Sequence, residues 1–274
     1  MSTLVSGELL QSLCEVGFYK KLDSIKVDQL KSMNQNVLSI DEVSVNDISK
    51  YKTIFIYVDF IHEFMEKFAN YLAEETVIMT HNGDVNIDSD YINYLDNPKI
   101  KKWYCQNRAI HHKKLFSIPI GIANSQWNHG NQERLFSKKV YSSNKKYLVY
   151  KNFDTGTNES ERGICNTITL GNGIPMSRKI DIDSYLTYIA KSKFVISPPG
   201  NGLDCHRIWE SLYLNTIPIV LKHECFSQFE HLPILFVEKW EDITIPFLRE
   251  KALEEKDWDI KELTLDFWEK KIRI

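Results

Sequence analysis

Short apolar, β-branched runs alternate with stretches of helical periodicity along most of this chain, and that alternation limits the folds open to it. Thr53-Ile54-Phe55-Ile56-Tyr57-Val58 stops at Asp59 and reads as a buried parallel strand. Ile61, Phe64, Met65, Phe68 and Leu72 follow at helical spacing and predict an amphipathic helix over about 60–74. A second run, Thr76-Val77-Ile78-Met79-Thr80, ends in His81-Asn82-Gly83-Asp84; a helix is expected over 88–96, followed by the runs 102–105 and 116–121. The first fifty residues read as a polar cap with one helix from Ser6 to Lys20. A polar, turn-rich stretch at 125–145 is the candidate linker.

Beyond the linker the pattern restarts. Strands are expected at 147–150, 194–196, 217–221 and 234–237, with helices at 158–168, 182–191, 205–214 and 225–231. Pro218 is out of place within a strand, because it has no N–H for the ladder. Strand and helix alternating in both halves predict two α/β domains with parallel sheets. Near the end, Ile260, Leu263, Phe267 and Trp268 form one apolar stripe, which predicts a C-terminal helix crossing back to the first domain. The expected division is 1–135, 136–258 and a final helix at 259–274.

Composition narrows the function classes. With 34 Lys+Arg against 37 Asp+Glu the balance is nearly neutral, which disfavours a partner held by a basic surface, such as nucleic acid. Apolar residues at 43% supply a core. Five scattered cysteines without a CxxC pattern suggest reduced thiols, and neither a disulfide framework nor a zinc site. No positive segment precedes an apolar stretch at the N-terminus, so a cytoplasmic protein without an integral membrane segment is expected. Asn158-Glu159-Ser160 matches a glycosylation sequon that such a location would leave unused.

The residues richest in chemistry run from Ser192 to Tyr213: a strand, the loop Ser197-Pro198-Pro199-Gly200-Asn201-Gly202, then a helix carrying Asp204, His206, Arg207 and Glu210. Loops at the carboxyl ends of parallel strands are where open α/β sheets bind ligands. Gly200 and Gly202 let backbone approach a ligand, and a helix start offers N–H groups to an anion. Arg207 and Glu210, three apart, share one flank, suiting a diphosphate and a ribose respectively. An ordinary surface ion pair has the same spacing, and Asp204 has the alternative of capping the helix. Neither a dinucleotide fingerprint nor a Walker loop is present.

The run SPPGNGLDCHRIWESLYLNTIPIV resembles the signature of exostosin-like glycosyltransferases (glycosyltransferase family 47 and its relatives). The pieces 81–84, 103–107 and 119–124, with Trp127 and His129, also look like those relatives, so the resemblance spans roughly 75–240. It implies a GT-B fold, with two Rossmann-like domains facing a cleft and a nucleotide sugar held by the second. Ser197, Pro199, Gly200, Asn201, Gly202, Asp204, His206, Arg207 and Glu210 would then bind the donor, with Arg162 as a further diphosphate contact. Two departures stand out: eukaryotic exostosins are generally membrane-anchored, and no anchor is expected here; the first domain is short and weakly matched, so acceptor identity does not carry over.

Such a transfer needs a stabilised leaving diphosphate and a base for the acceptor hydroxyl. Asp84 fits a strand end in the first domain, and His81 is the second candidate because its ordinary pKa suits base work. Both lie in what is also an ordinary turn sequence. Trp103 and Trp127 are candidates for the acceptor side, where a flat ring can stack on a sugar, although core packing is the commoner fate of tryptophan. Asp88-Ser89-Asp90, Asp181-Ile182-Asp183 and Asp257-Trp258-Asp259 mimic a manganese motif but sit at helix starts or turns, so no metal or cofactor is expected. The expectation is an inverting, metal-independent transfer from a UDP-sugar to a glycan. The alternatives are a non-catalytic nucleotide- or glycan-binding module, or another doubly wound enzyme acting on a phosphorylated small molecule.

Overall fold

The computed structural model describes residues 3–20, 36–255 and 257–272. It divides into two compact units, Met1–Ile120 with Thr264–Ile274, and Gly121–Leu263. The division falls ahead of the 125–145 stretch, which belongs wholly to the second unit. That stretch folds as short helical turns and a helix at Gln132–Lys138, so its polar residues face outward along an ordered segment.

In the first unit six strands form a parallel sheet in the order β2-β1-β3-β4-β5-β6. They are β1 (Val16–Tyr19), β2 (Val37–Ser39), β3 (Thr53–Tyr57), β4 (Thr76–His81), β5 (Ile100–Cys105) and β6 (Leu115–Ser117). Every residue of β4 is buried, as a central strand covered on both faces requires. Helix α1 (Gly7–Gln11) precedes β1. The helix expected over 6–20 is therefore one short turn followed by a strand, and the expected polar cap supplies two strands of the sheet. A four-residue strand with Gly17 at its centre lacks the continuous β-branched run that would reveal it. Residues 21–35 of that expected cap lie outside the described residues.

Helix α2 (Ile61–Phe68) buries Ile61, Phe64, Met65 and Phe68, the stripe read from spacing. The core around them includes Phe18, Ile54, Ile56, Ile78, Leu95 and Trp103. The helix expected over 88–96 is a 3-10 turn, Ser89–Tyr91, running into one α-turn, Ile92–Leu95.

The second unit holds a four-stranded parallel sheet, β10-β9-β8-β7, made of β7 (Tyr147–Tyr150), β8 (Ser192–Ile196), β9 (Ile217–Leu221) and β10 (Leu235–Val237). Pro218 is tolerated because of strand polarity. The Ser197 N–H donates to Ile219 O at 2.9 Å, so Ile219 faces β8 and Pro218 faces β10, whose pairing begins only at Ile219. Helices α3 (Glu159–Gly171), α4 (Ile182–Ala190) and α5 (His206–Tyr213) connect these strands. Lys145 Nζ donates to Ala190 O at 2.8 Å, to Leu214 O at 3.3 Å and to Thr216 Oγ1 at 2.8 Å, closing the ends of α4 and α5. Burial pushes this lysine down to about 8, which leaves it mostly charged at neutral pH.

Helix α6 (Leu265–Ile272) belongs to the first unit. Thr264 bridges to Leu4, Leu265 N–H donates to Thr3 O at 3.0 Å, and Trp268 meets Tyr104 edge-on at 6.1 Å. The stripe read as one helix face is thus split: Leu263 ends the second unit, while Trp268 is buried in the first. Among the described residues no helix is long and apolar enough to cross a membrane.

Candidate functional site

The strongest polar cluster of the second unit gathers where β7 and β8 end and α3 and α5 begin. Asn158 caps α3: its side-chain oxygen accepts the Glu161 N–H at 3.2 Å, while its Nδ2 donates to Gly200 O at 2.8 Å. Arg162, in the first turns of α3, donates from Nε to Pro199 O at 2.8 Å and from Nη1 to Asp154 O at 2.9 Å. Arg162 is thereby buried against the loop, and Gly200 makes room for it, since a Cβ there would lie 3.0 Å from Arg162 Nη2. The sequon asparagine is a structural clamp. Asn158 followed three residues later by Glu161 is a capping signal that the sequence already contained.

Arg207 occupies the first turn of α5 beside Arg162. Both guanidinium groups lie near the Phe153 ring, at 5.7 Å for Arg207 and 5.9 Å for Arg162. Burial lowers the pKa of Arg162, and the charge of Arg207 lowers it further. Among the described residues, Arg207 Nε and Nη1 are buried and find no acceptor. Glu210, three residues on, does not bond them. Glu210 is instead bound by Tyr185, whose hydroxyl donates to Oε2 at 2.9 Å. Burial pushes Glu210 above the usual carboxylate range, against the opposing pull of Tyr185, Arg207 and His129. Two cations therefore share the interior with one carboxylate that burial biases toward its neutral form. Buried guanidinium donors without acceptors beside a second arginine are groups that a bound anion would satisfy.

Tyr185 was invisible to the sequence, where it looked like one more residue of an amphipathic helix. Lys151, just after β7, turns inward, with Nζ donating to Thr169 Oγ1 at 2.9 Å and to Asn166 O at 3.3 Å, so it anchors α3.

Several expected donor contacts have other occupations. Gly200 N–H donates to Gly202 O at 3.1 Å, so this amide is already used. Ser197 is buried at the end of β8, with its hydroxyl toward Val195 O. Pro199 contributes its carbonyl to Arg162, and Asn201 is exposed at the loop tip. Asp204 is buried, and both its carboxylate oxygens lie 2.8 Å from Trp209 Nε1 while Oδ1 also accepts the Cys205 N–H. Its place is structural, because a buried indole N–H needs an acceptor. Replacing Asp204 by Ala is expected to cost about 1–3 kcal/mol through the orphaned indole donor, with Asp204→Asn recovering part of it. Urea unfolding of both variants checks this, and equal stability of Asp204→Ala and the unaltered protein would count against it.

His206, the first residue of α5, holds its Nδ1 2.8 Å from Gly121 O, which in the neutral ring puts the proton on Nδ1. Its ring meets His129 edge-on at 6.3 Å, and His129 stacks on Trp127 at 6.2 Å and 22°. Trp127 is 56% exposed. It belongs to the second unit, the one that holds the arginines, although it had been expected on the first domain.

The remaining candidates lie in the first unit. Trp103 is fully buried, with Nε1 donating to Thr80 Oγ1 at 3.0 Å, so it is a core residue and offers no face to a sugar. His81 is buried too: Nδ1 accepts the Asn82 N–H at 2.8 Å and Nε2 faces Pro119 O at 3.3 Å. Asn82 turns the chain at φ 60°, and Gly7 packs so tightly on it that a Cβ would come within 1.8 Å of Asn82 Oδ1. Asp84 is exposed beyond this turn and raises the pKa of Asp59, for which desolvation is the larger cause. The DxD matches are taken up locally. Asp88 and Asp181 cap short helices, Asp183 pairs with Lys138 at 2.7 Å, and Asp257 accepts the Asp259 N–H.

Compared with known families and with curated proteins, the chain matches no family model and no curated sequence.

Proposed function

We propose that the chain is a glycosyltransferase of the GT-B kind, moving a sugar from a UDP-linked donor to a glycan acceptor without a metal. The reading rests on one observation above the others: Arg207 keeps two buried guanidinium nitrogens without an acceptor, next to a second buried arginine. A nucleoside diphosphate is the leaving group that such a pair stabilises, because charge develops on its oxygens as the glycosidic bond breaks. Glu210, held by Tyr185 one turn along α5, would accept the hydroxyls of the ribose. The sequence resemblance to exostosin-like enzymes at 197–220 supports the same assignment of Arg207 and Glu210.

In the proposed reaction the acceptor oxygen bonds to the anomeric carbon, and that carbon's bond to the phosphate oxygen breaks with its electrons leaving on UDP. A single in-line displacement inverts the anomeric centre. Arg207 and Arg162 neutralise the leaving diphosphate without needing a cation, which is the physical ground for metal independence. Release of UDP from a panel of UDP-sugars tests the reading. The expected result is catalytic release from at least one sugar. Tight UDP binding without any release would make the chain a binding module, and absence of UDP binding would leave the arginine pair without its proposed ligand.

A further inference from the structure

Transfer needs a proton acceptor with an available lone pair. His81 does not provide one: its Nδ1 lone pair takes the Asn82 N–H, and its Nε2 needs a proton to satisfy Pro119 O. We propose that His129 is the proton acceptor, an inference that rests on the glycosyltransferase reading above. Among the described residues, no hydrogen bond engages its ring nitrogens.

The ring is exposed and flanked by two other rings. It lies between Trp127, stacked at 6.2 Å, and His206, edge-on at 6.3 Å, the residue immediately before Arg207. Its loop is tightly built. Gly130 N–H donates to Trp127 O at 2.8 Å, Arg134 Nη1 donates to Asn128 O at 3.3 Å, and a Cβ on Gly130 would come within 2.2 Å of Asn124 O. His129 is thus a base carried by the unit that holds the arginines, next to an exposed indole of the kind on which sugars stack.

The proton balance is simple. The acceptor hydroxyl oxygen joins the anomeric carbon, UDP leaves with the bonding pair, and the hydroxyl proton passes to His129. The titratable groups acting on the ring are Glu210 and His206 from α5, while Arg134 is turned to the Asn128 carbonyl. Desolvation holds His129 below the ordinary histidine range, Glu210 works against that shift, and His206 works with it. His129 is therefore neutral, and able to take a proton, across the neutral pH range. The rate should fall as pH drops through a value below that of a free histidine, because the protonated ring cannot act as a base.

The test uses water as acceptor, so no glycan need be known. UDP release from the best UDP-sugar of the panel is measured against pH for the unaltered protein, His129→Gln and His129→Ala. His129→Gln is expected to lose about 100-fold or more in rate, within the range of general-base contributions. It should also lose the acid limb, while UDP affinity and melting temperature stay unchanged. Added imidazole should restore part of the rate to His129→Ala, a rescue that a structural role would not give. Undiminished release by His129→Gln with UDP still bound overturns this inference alone. Failure of the unaltered protein to bind or release UDP overturns the glycosyltransferase reading, and this inference with it.

Discussion

Arg207→Met should weaken UDP binding by roughly 30-fold or more and raise the melting temperature of the protein. The two effects have one cause. Arg207 sits with Nε and Nη1 buried and unfilled, beside Arg162 and over the same phenylalanine ring. In the free protein the unfilled Nε and Nη1 donors cost folding energy, although Tyr185, Cys205 and Glu210 favour the charge of Arg207. Replacing such a charge by a side chain of similar volume is often stabilising by about 1–4 kcal/mol. In the complex the same donors would meet phosphate oxygens, and removing one partner of a buried charged pair costs about 2–5 kcal/mol, roughly 30-fold to several thousand-fold in affinity. Arg207→Lys should not rescue binding fully, because an ammonium lacks the several directed donors of guanidinium. Calorimetry with UDP and a thermal melt are sufficient. A variant that melts lower and still binds UDP would mean that Arg207 is a structural residue.

Trp103→Ala should destabilise the first unit by about 3–5 kcal/mol and leave UDP affinity intact. Trp103 is fully buried on β5, meets Tyr91 edge-on at 6.0 Å and satisfies Thr80 through its indole N–H. Truncation opens a large cavity and removes the donor bonded to the buried Thr80 hydroxyl, so cavity and hydrogen-bond costs add. Urea unfolding followed by tryptophan fluorescence and by circular dichroism measures the loss. A Trp103→Ala protein with undiminished stability would contradict the assignment of this residue to the core.

Much of the second unit was legible in the sequence. Its strands are short apolar runs flanked by loops, and Ile217–Leu221 emerges with the expected limits despite Pro218. Helix α5 was legible because Ile208 and Leu212 recur at helical spacing, and its Arg207 and Glu210 fall three apart as a ligand site would need. The first unit was harder to read. β1 and β2 are four and three residues long, too short for either periodicity to emerge, and pairing (β1 with β3, β2 with β1) rather than local preference makes them strands. The same limit applies to the site. Nothing local distinguishes Tyr185 from other residues of α4, and its bond to Glu210 exists only because α4 and α5 pack together. Trp103 and Asp204 were open to functional readings because burial, not residue type, decides whether an indole or a carboxylate faces a ligand.

The central claim is that the arginine pair grips a diphosphate, and titration of the unaltered protein with UDP, UMP and uridine in parallel tests it most directly. UDP should bind far more tightly than UMP, uridine should bind least, and the advantage of UDP should vanish in Arg207→Met. Equal affinity for all three, or no binding of UDP, would contradict it.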